Sequence, residues 1–334
     1  MKALYALFTV LALIGLAYLG LIAGWQYLFG IIIPYIAFAV FIFGIVYRIV
    51  NWAKSPVPFK ITTTCGQQKS LDWIKNNPIE APQSTWGVIA RMFMEVFFFR
   101  SLFRNTEMKL KNYPEGPRIV YGPNKWLWFA AIVFHYSFLL IVIRHLRFFM
   151  EPVPSCIVDV QALDGLMEIG VPVVYMSTIG LGIGAFYLFL RRVAIPQVRY
   201  ISLVADYFPL FLILSIGTTG VLLRHTDSRV DIVQVKALAM GLLSFSPTLP
   251  EGIGAMFFIH LFLVSLLLIY FPMSKLMHLG GVFLSPTRNM RNNSREVRHV
   301  NPWNYPVKTH TYMEWEDDFR ELMKAADMPL EKDE

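Results

Sequence analysis

The sequence predicts an all-α integral membrane protein, built as a six-span helical bundle. Of its 334 residues, 55% are apolar and only 16% are charged, whereas a soluble domain carries about 25% charged residues. Runs of about 20 apolar residues recur, and each is long enough to cross the hydrocarbon core of a bilayer. The basic residues gather in a few polar segments, which is how membrane proteins set their orientation. The net charge of +7 therefore does not indicate a nucleic-acid partner.

Apolar runs account for the six predicted spans. The start of the first run also fits a signal peptide. A second long run follows after a short turn at residues 24–30, however, which favours a transmembrane hairpin. The predicted spans are Leu4–Ala23, Ile31–Val50, Trp126–Phe149, Val171–Leu190, Ser202–Leu223 and Gly254–Met273.

A long polar segment, residues 51–125, separates the second span from the third. It contains one apolar stretch, Trp86–Phe103, which is interrupted by Arg91, Glu95 and Arg100. We predict that this stretch is an amphipathic helix in the membrane interface. The alternative is a re-entrant segment packed against the bundle.

The distribution of basic residues predicts the orientation of the chain. Lys and Arg are concentrated in residues 51–125, in the turn at 191–199 and after Lys275. The positive-inside rule assigns these segments to the cytoplasm, so we expect a protein of the cell membrane with both termini cytoplasmic. The predicted regions are a transmembrane hairpin (1–50), a cytoplasmic segment with an interfacial helix (51–125), a four-span core (126–280) and a cytoplasmic tail (281–334).

Four of the seven histidines lie in or at the end of two apolar stretches. His135 and His145 are ten residues apart in the third span, and His260 and His278 are eighteen residues apart in and after the sixth. A single intramembrane histidine is most simply explained by a bond to a neighbouring helix. Four of them on two spans favour axial ligands of haem iron, because neutral imidazole binds iron well. The sequence therefore predicts two haem b groups.

The predicted topology pairs the histidines across the two spans. Span three runs outward and span six runs inward, so His135 is expected beside His278 on the inner side and His145 beside His260 on the outer side. At about 1.5 Å per helical residue the two levels are about 15 Å apart on one span and about 27 Å apart on the other. A break at Pro272 explains part of this difference. Eighteen residues make five turns, which predicts His260 and His278 on one helix face.

This histidine spacing resembles that of the haem b gamma subunit of respiratory nitrate reductases. The chain resembles more closely a relative of that family, the DsrM cytochromes of DsrMKJOP complexes, also described as heterodisulfide-reductase-like menaquinol oxidoreductases. The extra N-terminal span and the segment 51–125 favour the DsrM branch over a nitrate reductase subunit. The resemblance implies menaquinol oxidation beside the outer haem, electron transfer to a cytoplasmic iron–sulfur subunit (DsrK-like) and a role in sulfur metabolism.

Polar residues at the outer level are candidates for the quinone site. A quinol that gives up two electrons also loses two protons, so its site needs hydrogen-bonding or titratable groups. His225 is suited to accept a proton, and Arg144 and Arg224 are suited to hold haem propionates. The alternative is that these groups are ordinary interfacial charges that anchor the helix ends. The candidates are Arg144, Glu168, Arg224, His225, Asp227 and Lys236.

Two further features leave alternatives open. The run GLGIGAF, with Gly180, Gly182 and Gly184, favours close helix packing, although it also suits room for a flat macrocycle. The C-terminal tail is predicted to dock a cytoplasmic subunit rather than to lie on the anionic leaflet. A rival from another class is a haem-free membrane anchor or transporter whose histidines bond between helices or relay protons.

Overall fold

The computed structural model describes residues 1–55, 66–104, 107–167, 173–294 and 309–331, and these are mostly helical. The α-helices are α1 (Lys2–Ile22), α2 (Ile33–Ala53), α3 (Thr85–Phe98), α4 (Arg100–Arg104), α5 (Lys125–His145), α6 (Ser155–Asp164), α7 (Met176–Ala194), α8 (Pro196–Ile201), α9 (Val204–His225), α10 (Ile232–Leu243), α11 (Ala255–Tyr270), α12 (His278–Leu284), α13 (Pro286–Asn289) and α14 (Tyr312–Ala325). A π-helical turn, Leu28–Ile32, leads into α2.

Five of these segments are long and apolar enough to cross a membrane, so the chain is a multi-pass membrane protein. They agree with five of the six predicted spans. The segments are Lys2–Ile22, Leu28–Ala53, Lys125–Phe149, Val204–His225 and Ala255–Met273.

The remaining predicted span corresponds to α7, which is less apolar than the other five. It has 19 residues and ends with Arg191 and Arg192. α7 packs against α5 on one side and α9 on the other, so it is part of the bundle. The predicted count of six spans therefore depends on whether α7 crosses the membrane.

Two short antiparallel strand pairs accompany the helices, a feature that the all-α prediction did not include. Strands β1 (Glu107–Tyr113) and β2 (Gly116–Gly122) pair antiparallel, and β3 (Gly165–Met167) pairs with β4 (Val174–Tyr175). The first hairpin turns at Gly116, whose φ of 115° suits glycine. A search for long apolar runs misses the alternation of apolar and polar residues in these strands.

The helices of the bundle pack around α9. One hydrophobic cluster joins α9 to α1, α2 and α11 and includes the fully buried Leu212, Phe258 and Leu263. A second cluster joins α9 to α5 and α7 through Ile213 and its neighbours. The helices α5, α7, α9 and α11 are thus successive neighbours in the bundle.

Glycines of α7 allow it to approach α5 closely, which confirms the packing interpretation of two of them. A Cβ atom at Gly184 would lie 3.0 Å from the Phe134 backbone, and one at Gly180 would clash with the Ser137 side chain. Gly182 faces open space, because a Cβ atom added there would meet nothing within 4 Å. Only two of the three glycines therefore serve the contact between the helices.

The prediction that His260 and His278 share one helix face is wrong. α11 ends at Tyr270 and is followed by two 3-10 turns, Phe271–Met273 and Lys275–Met277. Pro272 lies in the first turn, and Ser274 between them is extended. His278 begins a separate helix, α12. The chain from His260 to His278 is therefore not one straight helix, so the spacing of about 27 Å predicted for a continuous helix does not apply.

The stretch predicted as an interfacial helix forms α3 and α4. Its charged residues Arg91 and Glu95 are buried, at 2% and 9% exposure. Apolar residues three and four positions apart, such as Trp86, Ile89 and Phe93, are exposed instead. A helix that turns its apolar face outward and its charged face inward suits the lipid interface, while the buried face contacts α13 through the Glu95–Arg288 ion pair.

Candidate functional site

Two of the four candidate histidines lie next to each other. The ring centroids of His135 on α5 and His278 at the start of α12 are 5.9 Å apart, with the ring planes at 88°. An imidazole nitrogen lies about 2.0 Å from the metal it binds, so two imidazoles on opposite sides of one metal have ring centroids about 6 Å apart. The spacing of this first pair fits one metal ion between the rings.

The other two histidines also lie near each other. His145 at the end of α5 is close enough to His260 on α11 to interact with it electrostatically. Behind His260 lies Gly220 of α9, where an added Cβ would come within 3.4 Å of the imidazole Cε1. The structure thus brings together the pairs that the topology predicted, whereas their role as ligands remains a prediction.

Three of the four histidines bond to a backbone carbonyl through Nδ1. The acceptors are Ala131 for His135 and Ile141 for His145, both at 2.7 Å, and Lys275 for His278 at 2.9 Å. A carbonyl oxygen only accepts hydrogen bonds, so Nδ1 carries the proton in each case. In the neutral ring, Nε2 then holds a free electron pair for a metal.

The Nδ1 of His260 is also protonated, but its hydrogen-bond partner is a threonine hydroxyl. Its Nδ1 lies 2.8 Å from Thr219 Oγ1. That hydroxyl also lies 2.9 Å from the Ser215 carbonyl and 3.0 Å from the Ile216 carbonyl. The hydroxyl proton goes to the backbone, so His260 donates its Nδ1 proton to the threonine oxygen. Partners of this kind, which fix the tautomer, accompany metal-binding histidines, and the four residues fit haem ligation.

A buried ion pair lies close to the second histidine pair. Arg144, next to His145 in the chain, has its Nε 2.9 Å from Asp164 Oδ2, and the two side chains are 10% and 1% exposed. Asp164 also accepts bonds from the backbone N–H and the hydroxyl of Ser177, at 2.8 and 2.6 Å. Both oxygens of the Asp164 carboxylate therefore have partners, and the carboxylate holds the Arg144 guanidinium in position.

Tyr175 connects this ion pair to a second arginine. The guanidinium carbon of Arg144 lies 3.6 Å from the centroid of the Tyr175 ring, and that of Arg224 lies 4.5 Å from it. Arg224 also donates to the Val173 carbonyl at 3.1 Å. Tyr175 belongs to the short strand β4, and Val173 immediately precedes that strand. The strand pair β3–β4 therefore positions both partners of Arg224.

The remaining quinone-site candidates are less enclosed. Lys236 on α10 pairs with Glu151. His225 is half-buried at the end of α9, and Asp227 is exposed just beyond it. Glu168 lies outside the described residues. Sequence reasoning missed Asp164, Tyr175 and Ser177 as site residues; only Asp164, an acid in the loop beside Arg144, offered a signal.

Charged residues at the opposite end of the bundle also converge. Lys2 donates to the Ser202 carbonyl at 2.9 Å, and Arg192 donates to the Ser202 hydroxyl at 3.2 Å. Lys275, three residues before His278, bonds to Asp206 at 2.7 Å. The chain start, the turn after α7 and the segment after α11 therefore meet at one basic end of the bundle.

Comparisons with known proteins agree with the resemblance found in the sequence. A cytochrome b-like subunit of a Hdr-like menaquinol oxidoreductase from Archaeoglobus fulgidus is 45% identical over 283 residues, 83% of each chain. A subunit of the same name from Archaeoglobus profundus is 40% identical over 282 residues, 81% of each chain.

The family model of the nitrate reductase gamma subunit matches residues 83–299. This match includes α3 and α4, which corrects the expectation that all of segment 51–125 departs from that family. The first two spans lie outside the match. Because it covers more than half of the chain, and the two relatives are similar over most of their length, this chain belongs to the nitrate reductase gamma subunit family.

Proposed function

We propose that this chain is the quinone-reactive dihaem cytochrome b subunit of a membrane oxidoreductase. It exchanges electrons between menaquinol at the outer side and a cytoplasmic iron–sulfur subunit. The observation that carries the proposal is the arrangement of four histidines in two pairs, each with Nδ1 bonded and Nε2 free. The relatives' names, which specify a menaquinol oxidoreductase and a cytochrome b-like subunit, support the same function.

Each histidine pair has a defined part in this proposal. His135 and His278 hold the inner haem b, and His145 and His260 hold the outer one. When bound, haem b would supply one-electron transfer at each pair, with the two imidazoles of the pair holding its iron. The protein supplies the tautomer and orientation of each imidazole through Ala131, Ile141, Lys275 and Thr219.

The quinol site of the proposal lies at Arg144, Tyr175 and Arg224. Menaquinol gives up two electrons and two protons as it becomes menaquinone, and the electrons pass singly to the haems. The two guanidiniums offer hydrogen-bond donors for quinone oxygens. Asp164 is engaged by Arg144 and Ser177, so it is a positioning residue. His225 and Asp227 are more accessible to water and accept the protons released by menaquinol.

The proposed topology has six spans, including α7, and both termini in the cytoplasm. It is supported by the convergence of Lys2, Arg192 and Lys275 at one end of the bundle and by the positive-inside rule. Arg144 and Arg224 then lie at the outer end. Electrons that reach the inner haem leave through a soluble iron–sulfur subunit of the DsrK class, in a complex that serves sulfur metabolism.

A haem assay of the purified chain tests the cofactor part of the proposal. The measurement is a dithionite-reduced minus oxidised spectrum, with haem quantified per polypeptide. We expect two low-spin b haems, and we expect the loss of one in each single His→Ala variant of the four. A folded, haem-supplied preparation without haem would favour the anchor or transporter instead.

Quinol oxidation by the assembled complex tests the site at the outer end. Arg224→Gln should lower the rate of haem reduction by a soluble menaquinol analogue at least tenfold and leave the haem content unchanged. Arg118→Gln, at an exposed pair in the first hairpin, is the matched control and should have no effect. An Arg224→Gln variant with the wild-type rate would argue against this site.

A further inference from the structure

The joint between α3 and α4 lies directly against the inner histidine pair. Phe99 forms this joint, with a φ of 49° and a ψ of 44°. This left-handed conformation is unfavourable for a bulky residue, which adopts it only where its surroundings hold it there. The surroundings of Phe99 must therefore hold the joint in this conformation.

Two side chains of α5 hold the joint in place. Trp128 Nε1 donates to the Phe98 carbonyl at 2.7 Å, and the Tyr136 hydroxyl donates to the Phe97 carbonyl at 2.9 Å. Carbonyls in the last turn of a helix lack partners within the helix, and such groups are costly next to lipid. α5, which carries His135, thus supplies the hydrogen-bond donors for the last carbonyls of α3. One of these donors, Tyr136, is adjacent to His135 in the chain.

The joint also contacts His135 through the ring of Phe99. The two ring centroids are 5.1 Å apart, with the planes at 81°. Phe134 contacts the same imidazole at 5.1 Å and 87°. Because Nδ1 is bonded to the Ala131 carbonyl, these two phenyl rings restrict the remaining rotation of the imidazole.

A buried carboxylate links the joint to the second inner histidine. Glu95 Oε1 lies 2.5 Å from Arg288 Nη1, and Oε2 accepts from the Ser101 backbone N–H at 3.1 Å. Ser101 follows the joint, whereas Arg288 belongs to α13. α13 follows α12, which begins at His278. The Glu95–Arg288 ion pair therefore connects the joint that contacts His135 to the helices that begin at His278.

We propose that Phe99, Glu95 and Arg288 form an inner-site clamp that positions the imidazoles of His135 and His278 relative to each other. The clamp sets the potential of the inner haem through the orientation of both ligands and the shielding of His135 from water. It acts on the inner haem and leaves the outer one unaffected. This inference rests on the proposed function, because it requires that the inner pair binds a haem.

Substitution of Phe99 tests the contact with His135. Phe99→Leu keeps an apolar side chain but removes the ring, so water reaches the imidazole and stabilises the oxidised, positively charged haem. We expect the inner haem to become about tenfold harder to reduce, a shift of about 59 mV for a one-electron couple, with a changed low-spin electron paramagnetic resonance signal. Phe186→Leu on α7 is the matched control, since the Phe186 ring contacts Phe189 and not a histidine.

Glu95→Gln tests the ion pair without changing the size of the side chain. It should shift the same inner-haem signal, whereas Glu115→Gln, at an exposed pair with Arg118, should shift neither haem. The full-length chain is used throughout, and the inner signal is the one lost in the His278→Ala variant. This second substitution also tests the clamp if the Phe99 variant does not fold.

The possible results separate the clamp from the proposed function. A wild-type chain with fewer than two low-spin haems would contradict the proposed function itself. If the wild-type chain binds two haems and neither Phe99→Leu nor Glu95→Gln changes the inner-haem signal, the clamp is overturned while the proposed function stands. Equal shifts of both haems would also overturn it, because they would indicate a general loosening of the bundle.

Discussion

Thr219 illustrates how a single residue fixes the tautomer of a buried imidazole. Its hydroxyl gives its own proton to the backbone and accepts the Nδ1 proton of His260. Thr219→Val keeps the shape and removes the acceptor. Loss of such a partner costs about 10–100-fold in metal affinity, so we expect weaker retention of the outer haem, measured as haem loss to an excess of apomyoglobin.

The neighbouring Thr218 provides the control for that experiment. Its hydroxyl donates to the Leu214 carbonyl at 2.8 Å, and the residue is exposed. Thr218→Val should therefore lose haem at the wild-type rate. Equal rates for the two variants would show that the threonine next to His260 does not prepare the ligand.

Asp164 is the residue on which the buried charge of Arg144 depends. Asp164→Asn leaves that guanidinium buried without its carboxylate, and breaking a buried ion pair costs about 3–5 kcal/mol. We expect a clear fall in the thermal unfolding midpoint of the detergent-solubilised protein. Asp159→Asn, at an exposed position of the same helix, should leave the midpoint unchanged; an equal fall in both would contradict this assignment.

The contact between α5 and α7 shows the effect of one missing side chain on a whole element. Gly184→Ala would push its Cβ against the Phe134 backbone, and overpacking of this kind costs about 1–3 kcal/mol. Because His135 follows Phe134, we expect both lower thermal stability and a changed inner-haem spectrum.

Gly182 offers the matched test on the same helix, since an added Cβ there meets nothing within 4 Å. Gly182→Ala should be neutral or slightly stabilising, because alanine favours a helix more than glycine does. If Gly182→Ala destabilised the protein as much as Gly184→Ala, the cause would be helix propensity or lipid contact and not packing on α5.

At the scale of the whole molecule, the orientation of the loop after α9 depends on whether α7 crosses the membrane. With the proposed cytoplasmic N-terminus, six spans place Ser228 outside the cell, whereas a topology in which α7 does not cross places it inside. The chain has two cysteines, Cys65 and Cys156. With both replaced by serine, Ser228→Cys should react with a membrane-impermeant maleimide in right-side-out vesicles. Protection of Ser228→Cys until lysis would exclude the six-span topology.

The chain contains its own reference for that labelling experiment. Cys156 is free and exposed in the described part of the chain, between α5 and α7. It is therefore outside in either topology and should react in intact vesicles. Glu115→Cys, at the exposed turn of the first hairpin, should react only after lysis in either topology.

Apolar runs of sufficient length determined most of the architecture by themselves. A bilayer demands a long, uninterrupted apolar helix, so five spans were predictable within a few residues of their observed ends. α7 was harder to assign, because its glycines and terminal arginines lower its apolar character. The β-hairpins were missed, since a period of two residues over a short strand is a weak signal beside spans of 20 residues.

The sequence by itself determined which residues are candidate ligands, because histidine is rare and costly in a membrane segment. Only the tertiary structure decided how these residues are held. The bend after Tyr270 that brings His278 beside His135, the Nδ1 partner on α9, and the Arg144–Tyr175–Arg224 cluster all depend on contacts between distant parts of the chain. Local periodicity carries no information about such contacts, since they form only when several helices have packed around α9.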